Sequence, residues 1–402
     1  MMIKYAFGLL FLFIPGFAVS SDYHDFMARV YKDSDVIKSK IYELEAEKNN
    51  AVKTDYFFAP KIKLNSTYKE DSSNKKYFDS TGNISALVYD STLPERFKEK
   101  NARLANVLVS LDIEKENQAK SVLENAISIQ EYKKLNSRAH ELSSSAKHLF
   151  EQINNRYQNG TAGQSDLQQA RLLVQRIDGD IRRIEQEIEN FHSNIEIMTG
   201  IDYPDDGVDV AVPVINKIID ADINKNQLKE NFSYKQLSYQ AEEAKQNSAQ
   251  QNSLLQVSLQ GMDRRNNQHR IDNDSYVGLS FDLNIFDLDK ISEKSQKLNE
   301  YKSIKSKMDH KYKELDRRIN QLNLQYTSSD IELKNYEMQL DTTRRIIQSQ
   351  KVDYELSKAS YYEMLNTEYD FFQLQSKLAD TKIKKVSNRL EALALAGKIL
   401  EL

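Results

Sequence analysis

From Val277 to Ile285 apolar and polar positions alternate without a miss: Val277, Leu279, Phe281, Leu283 and Ile285 stand between Gly278, Ser280, Asp282 and Asn284. A strict period of two predicts a β-strand with one apolar and one polar face. The pattern returns as Leu255, Val257 and Leu259 against Gln256, Ser258 and Gln260, and as Ile62, Leu64 and Tyr68 against Lys61, Lys63, Asn65 and Thr67. The stretch Asn83 to Tyr89 is a weaker fourth. Strands are therefore expected near 59–69, 82–90, 253–262 and 275–286.

Elsewhere the apolar residues step by three and four. Val174, Ile177, Ile181, Ile184, Ile188, Phe191 and Ile195 form one seam; Leu365, Tyr369, Phe372, Ala379, Ile383, Val386, Leu390 and Leu393 form another, interrupted at Ser376. Such spacing predicts helices, near 164–199 and 361–398, packed in left-handed coiled coils. Between Pro94 and Gly160, and again between Gly278 and Gly397, there is neither glycine nor proline. The spacing predicts two unbroken helices there, near 91–158 and 287–356, and the first, at 68 residues, is a rod of roughly 100 Å at about 1.5 Å per residue.

The two halves of the chain share one plan. Tyr157, Gly160, Gly163 and Asp166 correspond to Tyr354, Ser357, Ser360 and Glu363 at a constant offset of 197, and the strand openings at Ala59 and Leu254 are 195 apart. Two landmarks in one order at nearly one spacing indicate an internal duplication. The expected organisation is a first repeat over 21–200, an acidic linker over 201–216 and a second repeat over 217–402. The phrases around Gly160 and Ser357 reverse the chain from long helix to medium helix, with an Asn159-Gly160 turn and Ser165 as helix cap in the first. They are the tips of two helical hairpins.

Strands of about 10 residues with one face apolar suit a transmembrane barrel, lipid outside and water within. A half-buried soluble sheet alternates identically. Aromatics stand near the strand ends, with Tyr56, Phe57 and Phe58 before the first, Tyr77 and Phe78 before the second, and Tyr276 and Phe286 on the fourth; rings there suit the two membrane interfaces. Four strands cannot close a barrel, because open edges in lipid leave unpaired backbone groups costing several kcal/mol each, and barrels start at about 8 strands. The chain must therefore assemble with copies of itself, and barrel closure alone leaves the number open.

Composition narrows the compartment and the chemistry. Residues 1–20 carry Lys4, an apolar run from Tyr5 to Phe17, then Ala18 and Ser20, the order of a secretory signal peptide. There is no cysteine, so neither disulfides nor thiolate metal sites are available. The net charge of −4 on 402 residues argues against a nucleic-acid surface. The six histidines, at 24, 140, 148, 192, 269 and 310, show no metal-ligand spacing, and no phosphate-cradling glycine loop occurs. No cofactor and no catalytic residue are expected. The run "DYPDDGVDV" at 202–210 gathers acids around a glycine and reads as linker rather than calcium loop; "MDRRNNQHR" at 262–270 reads as a basic outer loop.

With its duplicated halves, its repeated strand opening "APKIKL" and its two hairpin phrases, the mature chain resembles the TolC family of outer membrane efflux proteins over essentially its whole length. That resemblance implies a mainly α fold with a transmembrane β-barrel: a homotrimer in the outer membrane of a Gram-negative bacterium, four strands per chain closing a 12-stranded barrel continuous with a periplasmic helical barrel. It implies an exit duct for a tripartite efflux pump or type I secretion system, working with a periplasmic adaptor (membrane fusion) protein and an inner-membrane ABC or RND transporter. Carried over by position, the pore constriction falls on Glu363 and Asn366, an amide where the family often has a second carboxylate. The gate latch falls on Tyr354 and Asp166. Partner docking falls on the tips, at Gly160, Gly163, Ser357 and Ser360. A latch arginine has no counterpart, since Ala359 stands there. The competing reading is a periplasmic coiled-coil adaptor or scaffold, which would also show long hairpins but would carry compact glycine-rich β domains around a single one.

Overall fold

The computed structural model describes residues 21–70, 76–221, 223–251, 254–266, 274–356 and 360–402. The expected signal peptide, the tip residue Ser357, Ala359 and residues 267–270 of the basic loop lie outside the described residues. In chain order the elements are β1 (Ser21–Asp22), α1 (Tyr23–Asp33), α2 (Asp35–Asp55), β2 (Lys61–Glu70), β3 (Lys76–Asp90), α3 (Leu93–Gln158), α4 (Gln164–Thr199), β4 (Val208–Asp209), α5 (Val212–Asp220), a 3-10 turn (Lys225–Glu230), α6 (Phe232–Gln250), β5 (Leu255–Asn266), β6 (Asp274–Leu283), α7 (Leu288–Glu355), α8 (Tyr361–Leu395) and a last 3-10 turn (Ile399–Glu401). The fold is mainly helical, with one small antiparallel sheet. Its residues fall into two compact units: one of residues through Ser34, Ala119–Asp220 and Tyr326–Asn388, the other of Asp35–Gln118, Ala221–Gln325 and Arg389–Leu402.

The first unit is built on a seam. Tyr132, Leu135, Ala139, Leu142, Ala146 and Leu149 of α3 step by three and four and meet Leu173, Ile177, Ile181 and Ile184 of α4 and Leu365, Phe372 and Ala379 of α8 in one buried cluster. Both seams seen in the sequence thus pack, and α3 supplies a third. A smaller cluster of Leu340, Ile347 and Phe371 joins α7 to α8. The acidic linker is docked rather than loose. Tyr203, Val208 and Val210 are buried, the Tyr203 hydroxyl accepts the Val208 N–H at 2.9 Å, and the Tyr203 ring lies edge-on to Phe26 and His192. Lys133 donates to the carbonyls of Asp205 and Asp206, and β4 pairs in parallel with β1. Backbone carbonyls therefore hold the cation here, and among the described residues no cluster of His, Asp or Glu is suited to a metal ion.

The second unit carries the four-stranded sheet, in the order β2-β3-β5-β6 with every neighbour antiparallel. The weakly patterned segment near 82–90 proves to be the longest strand, β3, which begins at Lys76 and takes in Tyr77 and Phe78. Polar residues at Asp79, Ser80, Thr81 and Asn83 blur its alternation, and pairing on both sides holds it. At the strand-to-helix turn the buried Asp90 carboxylate accepts from the Thr92 N–H and hydroxyl at 2.8 and 2.7 Å and pairs with Arg96 at 2.8 Å, which compensates a buried charge that would otherwise be costly. The end of the chain is pinned similarly. Asn231 caps α6 through the Tyr234 N–H and donates to the Ala394 carbonyl at 3.1 Å, and Arg318 of α7 makes a two-pronged pair with Glu391 of α8.

Gly397 closes this corner at φ +66°, where a Cβ would collide with the Glu230 carbonyl. Gly179, on α4, has only open space where a Cβ would go. Gly397→Ala should therefore destabilise the protein by about 2 kcal/mol or more, while Gly179→Ala should stabilise it by up to about 1 kcal/mol. Thermal unfolding of the two variants should move the midpoint in opposite directions.

Candidate functional site

Register sorts the sheet into two faces. Ile62 lies opposite Ile84, Ile84 opposite Gly261, and Gly261 opposite Val277; Leu259 lies opposite Leu279 and Val257 opposite Phe281. These residues share one face; Gly261 is buried and Val257 half-buried, while the outer strands stand in the open, with Ile62 77% and Val277 79% exposed. The other face carries Lys61, Lys63, Asn65, Thr81, Asn83, Gln256, Gln260 and Ser280, together with a fork in which Arg264 donates to both oxygens of Asp79 at 3.0 and 2.9 Å and Lys69 approaches at 3.7 Å. Tyr276 pairs with Met262 and sits on this polar face, not among the apolar residues. The outer strands of the sheet are β2 and β6. Such an apolar face gains stability where something apolar covers it, since leaving water contributes about 1.5–3 kcal/mol for each large apolar side chain. Among the described residues, no helix is long and apolar enough to cross a membrane.

In the first unit the repeated phrase turns out to be a repeated helix start. At the first tip Gly160 adopts φ +71°, and the Thr161 N–H and hydroxyl both bond the Arg156 carbonyl at 2.8 and 3.0 Å. Gly163, not Ser165, is the cap of α4; Ser165 lies inside the first turn. Glycine has no side chain to offer, so the cap is one-sided: Asp166 reaches back and accepts the Gly163 N–H at 3.1 Å. At the second tip the box is complete. Glu363 accepts the Ser360 N–H at 3.1 Å, and the Ser360 hydroxyl accepts the Glu363 N–H at 3.1 Å, so two otherwise unpaired donors are satisfied reciprocally.

Glu363 and Asp166 are both exposed, Asn366 is half-buried, and Gly160, Gly163 and Ser360 are exposed. The Tyr354 ring packs on Tyr361 across its own hairpin, with centroids 5.6 Å apart. Within the chain, among the described residues, no hydrogen bond joins Tyr354 to Asp166.

Further from the tip, polar links that the seam pattern did not reveal tie the helices together. Asp180 of α4 accepts from Tyr369 at 3.0 Å and Gln373 at 2.8 Å, both on α8. Tyr132 of α3 donates to Asp380 at 2.9 Å, and Asp330 of α7 pairs with Lys385 of α8 at 2.9 Å. Burial first, and the Asp180 carboxylate second, push the Tyr369 pKa up to about 12. The hydroxyl is thus a neutral donor at physiological pH. Because the folded value is raised, its contribution is complete below about pH 10 and is lost only as pH climbs through about 12.

Neither a protein-family model nor a curated protein sequence matches the chain. Solved structures do. The outer membrane protein VceC of Vibrio cholerae superposes with a TM-score of 0.75 at 12% identity, over 93% of this chain and 96% of that one. The Campylobacter jejuni outer membrane channel CmeC gives 0.74 at 13%, over 94% and 86%. The open state of the Neisseria gonorrhoeae outer membrane channel MtrE gives 0.70 at 11%, over 94% and 90%. At these identities the likeness is one of fold, and the chain has the fold of outer membrane factor channels.

Removing the reciprocal cap tests the second tip locally. Ser360→Ala should cost about 1 kcal/mol and should speed hydrogen exchange at the Glu363 amide without altering the α4 start; unchanged exchange at that amide would contradict the cap.

Proposed function

We infer that the chain is one third of an outer-membrane exit duct of a Gram-negative bacterium: a homotrimer whose twelve strands close a barrel and whose helices form a periplasmic conduit. The carrying observation is the four-stranded sheet, apolar and uncovered on one face, polar on the other, with β2 and β6 as its outer strands. In lipid those strands need partners, because unpaired backbone groups cost several kcal/mol each there. Pairing β6 of one copy with β2 of the next satisfies both edges and leaves the apolar face to lipid and the polar face, with Arg264 and Asp79, to water. A coiled-coil adaptor or scaffold has no use for such a face.

The helical hairpins take the gating role in this reading. Three copies bring three Glu363 carboxylates and three Asn366 amides around one axis, an anionic ring that favours cations. Tyr354 and Asp166 latch neighbouring hairpins. Gly160, Gly163, Ser357 and Ser360 meet a periplasmic adaptor and an inner-membrane ABC or RND transporter. The duct itself is passive in this reading: the sequence holds no phosphate-cradling glycine loop, and among the described residues no helix is long and apolar enough to cross a membrane. It serves a tripartite efflux pump or a type I secretion system, and the identity of the transporter decides which.

The capping geometry makes one substitution clean. Glutamine can replace glutamate in a capping box, so Glu363→Gln removes the charge while keeping the bond to the Ser360 N–H. In planar-bilayer recordings the variant should assemble normally and lose cation selectivity; full selectivity in a well-assembled variant would remove Glu363 from the constriction.

A further inference from the structure

At the helix-side end of the sheet, β6 stops at Leu283 and α7 begins at Leu288. Beside this junction lies a hollow of about 450 Å³ whose lining is apolar at Leu254, Ile285, Phe286 and Ile291, polar at Gln251, Asn284 and Asp287, and cationic at Lys290 and Lys294. Ile285 is 84% and Phe286 78% exposed, and Leu254, Leu288 and Ile291 are each more than half exposed. Ile285 follows the last paired residue of β6, Leu283, by two positions, so the hollow adjoins the end of that strand. Lys290 and Lys294, four residues apart, lie on one side of α7. The carboxylate at this corner, Asp287, already accepts the N–H groups of Asp289 and Lys290 at 3.0 and 3.2 Å, and so starts the helix. Exposed apolar side chains next to the end of β6, with two lysines beside them, complement a molecule with an anionic head and an apolar tail.

We propose that this hollow binds an anionic phospholipid, its phosphate against Lys290 and Lys294 and one acyl chain over Phe286 and Ile285 and along the Leu283 and Phe281 row. The lysine stems lie over the apolar surface while their ammonium groups reach the headgroup plane. The site rests on the reading of the sheet as a membrane barrel, and it fastens the strand-to-helix corner at the membrane interface.

The test uses the full-length trimer in neutral detergent, observed by native mass spectrometry during titration with phosphatidylglycerol or with phosphatidylcholine of the same chains. Phosphatidylglycerol should bind the tighter, and Lys290→Gln with Lys294→Gln should weaken it roughly thirtyfold with no effect on phosphatidylcholine. Phe286→Ala should weaken both lipids. Lys302→Gln with Lys305→Gln, further along α7, should change neither, and Lys290→Arg with Lys294→Arg should keep the preference, showing that a loss in the glutamine pair is one of charge.

Equal binding of the two lipids, or an unaffected glutamine pair, overturns the proposal. So does displacement by glycerol 3-phosphate, which marks a plain anion site, or an intact trimer that takes up neither lipid, which means another copy covers the hollow. These results in a detergent-dependent trimer would sink the lipid site alone; a chain needing no detergent would sink the barrel reading with it.

Discussion

Backbone pairing at the two edges of a four-stranded sheet is the constraint on which the rest depends. At its helix-side end one face of that sheet is apolar and largely exposed; set in lipid, as the proposed duct sets it, β2 and β6 cannot leave their outer N–H and C=O groups unpaired. Among the described residues, the other two strands of the sheet, β3 and β5, are already paired on both sides. In the proposed duct, pairing with further copies satisfies both edges, and the helices that follow each strand pair go with it.

The helices answer a different problem. Within the first unit, the 66-residue α3 packs through residues 132–149 against α4 and α8, and the 68-residue α7 packs through Leu340 and Ile347 against Phe371 of α8. Leucine and isoleucine supply the seam's non-directional attraction. Direction and register come from the sparse polar links, among them Asp180 with Tyr369 and Gln373, where a slip of one residue would strand a half-buried carboxylate. A packed hairpin that is uniformly oily would slide; one with polar links at stated heights has a preferred register.

Much of this was legible in the sequence because periods of two and of seven are direct images of strand and coiled-coil geometry. The strands from Ile62, Leu255 and Val277 and the seams of α4 and α8 fall into that class. Less visible were features in which one residue type serves another element. The α3 seam uses alanine at 139 and 146, which a search for large apolar residues passes over. The linker's acids concealed Tyr203 and Val208, whose burial depends on α1 and α4 rather than on local pattern. At the tips, the echo of Asp166 in Glu363 was plain, but its immediate cause, a helix start repeated with glycine in one copy and serine in the other, needed hydrogen-bond geometry. Asp180 and Tyr369 sit 189 residues apart, a separation over which no local pattern speaks.

Light scattering on the purified chain, in detergent and after its removal, counts the copies in each particle. A trimeric barrel should give a particle of three chains in detergent and should precipitate once the detergent is withdrawn. A monodisperse single chain, freely soluble in plain buffer, would contradict it.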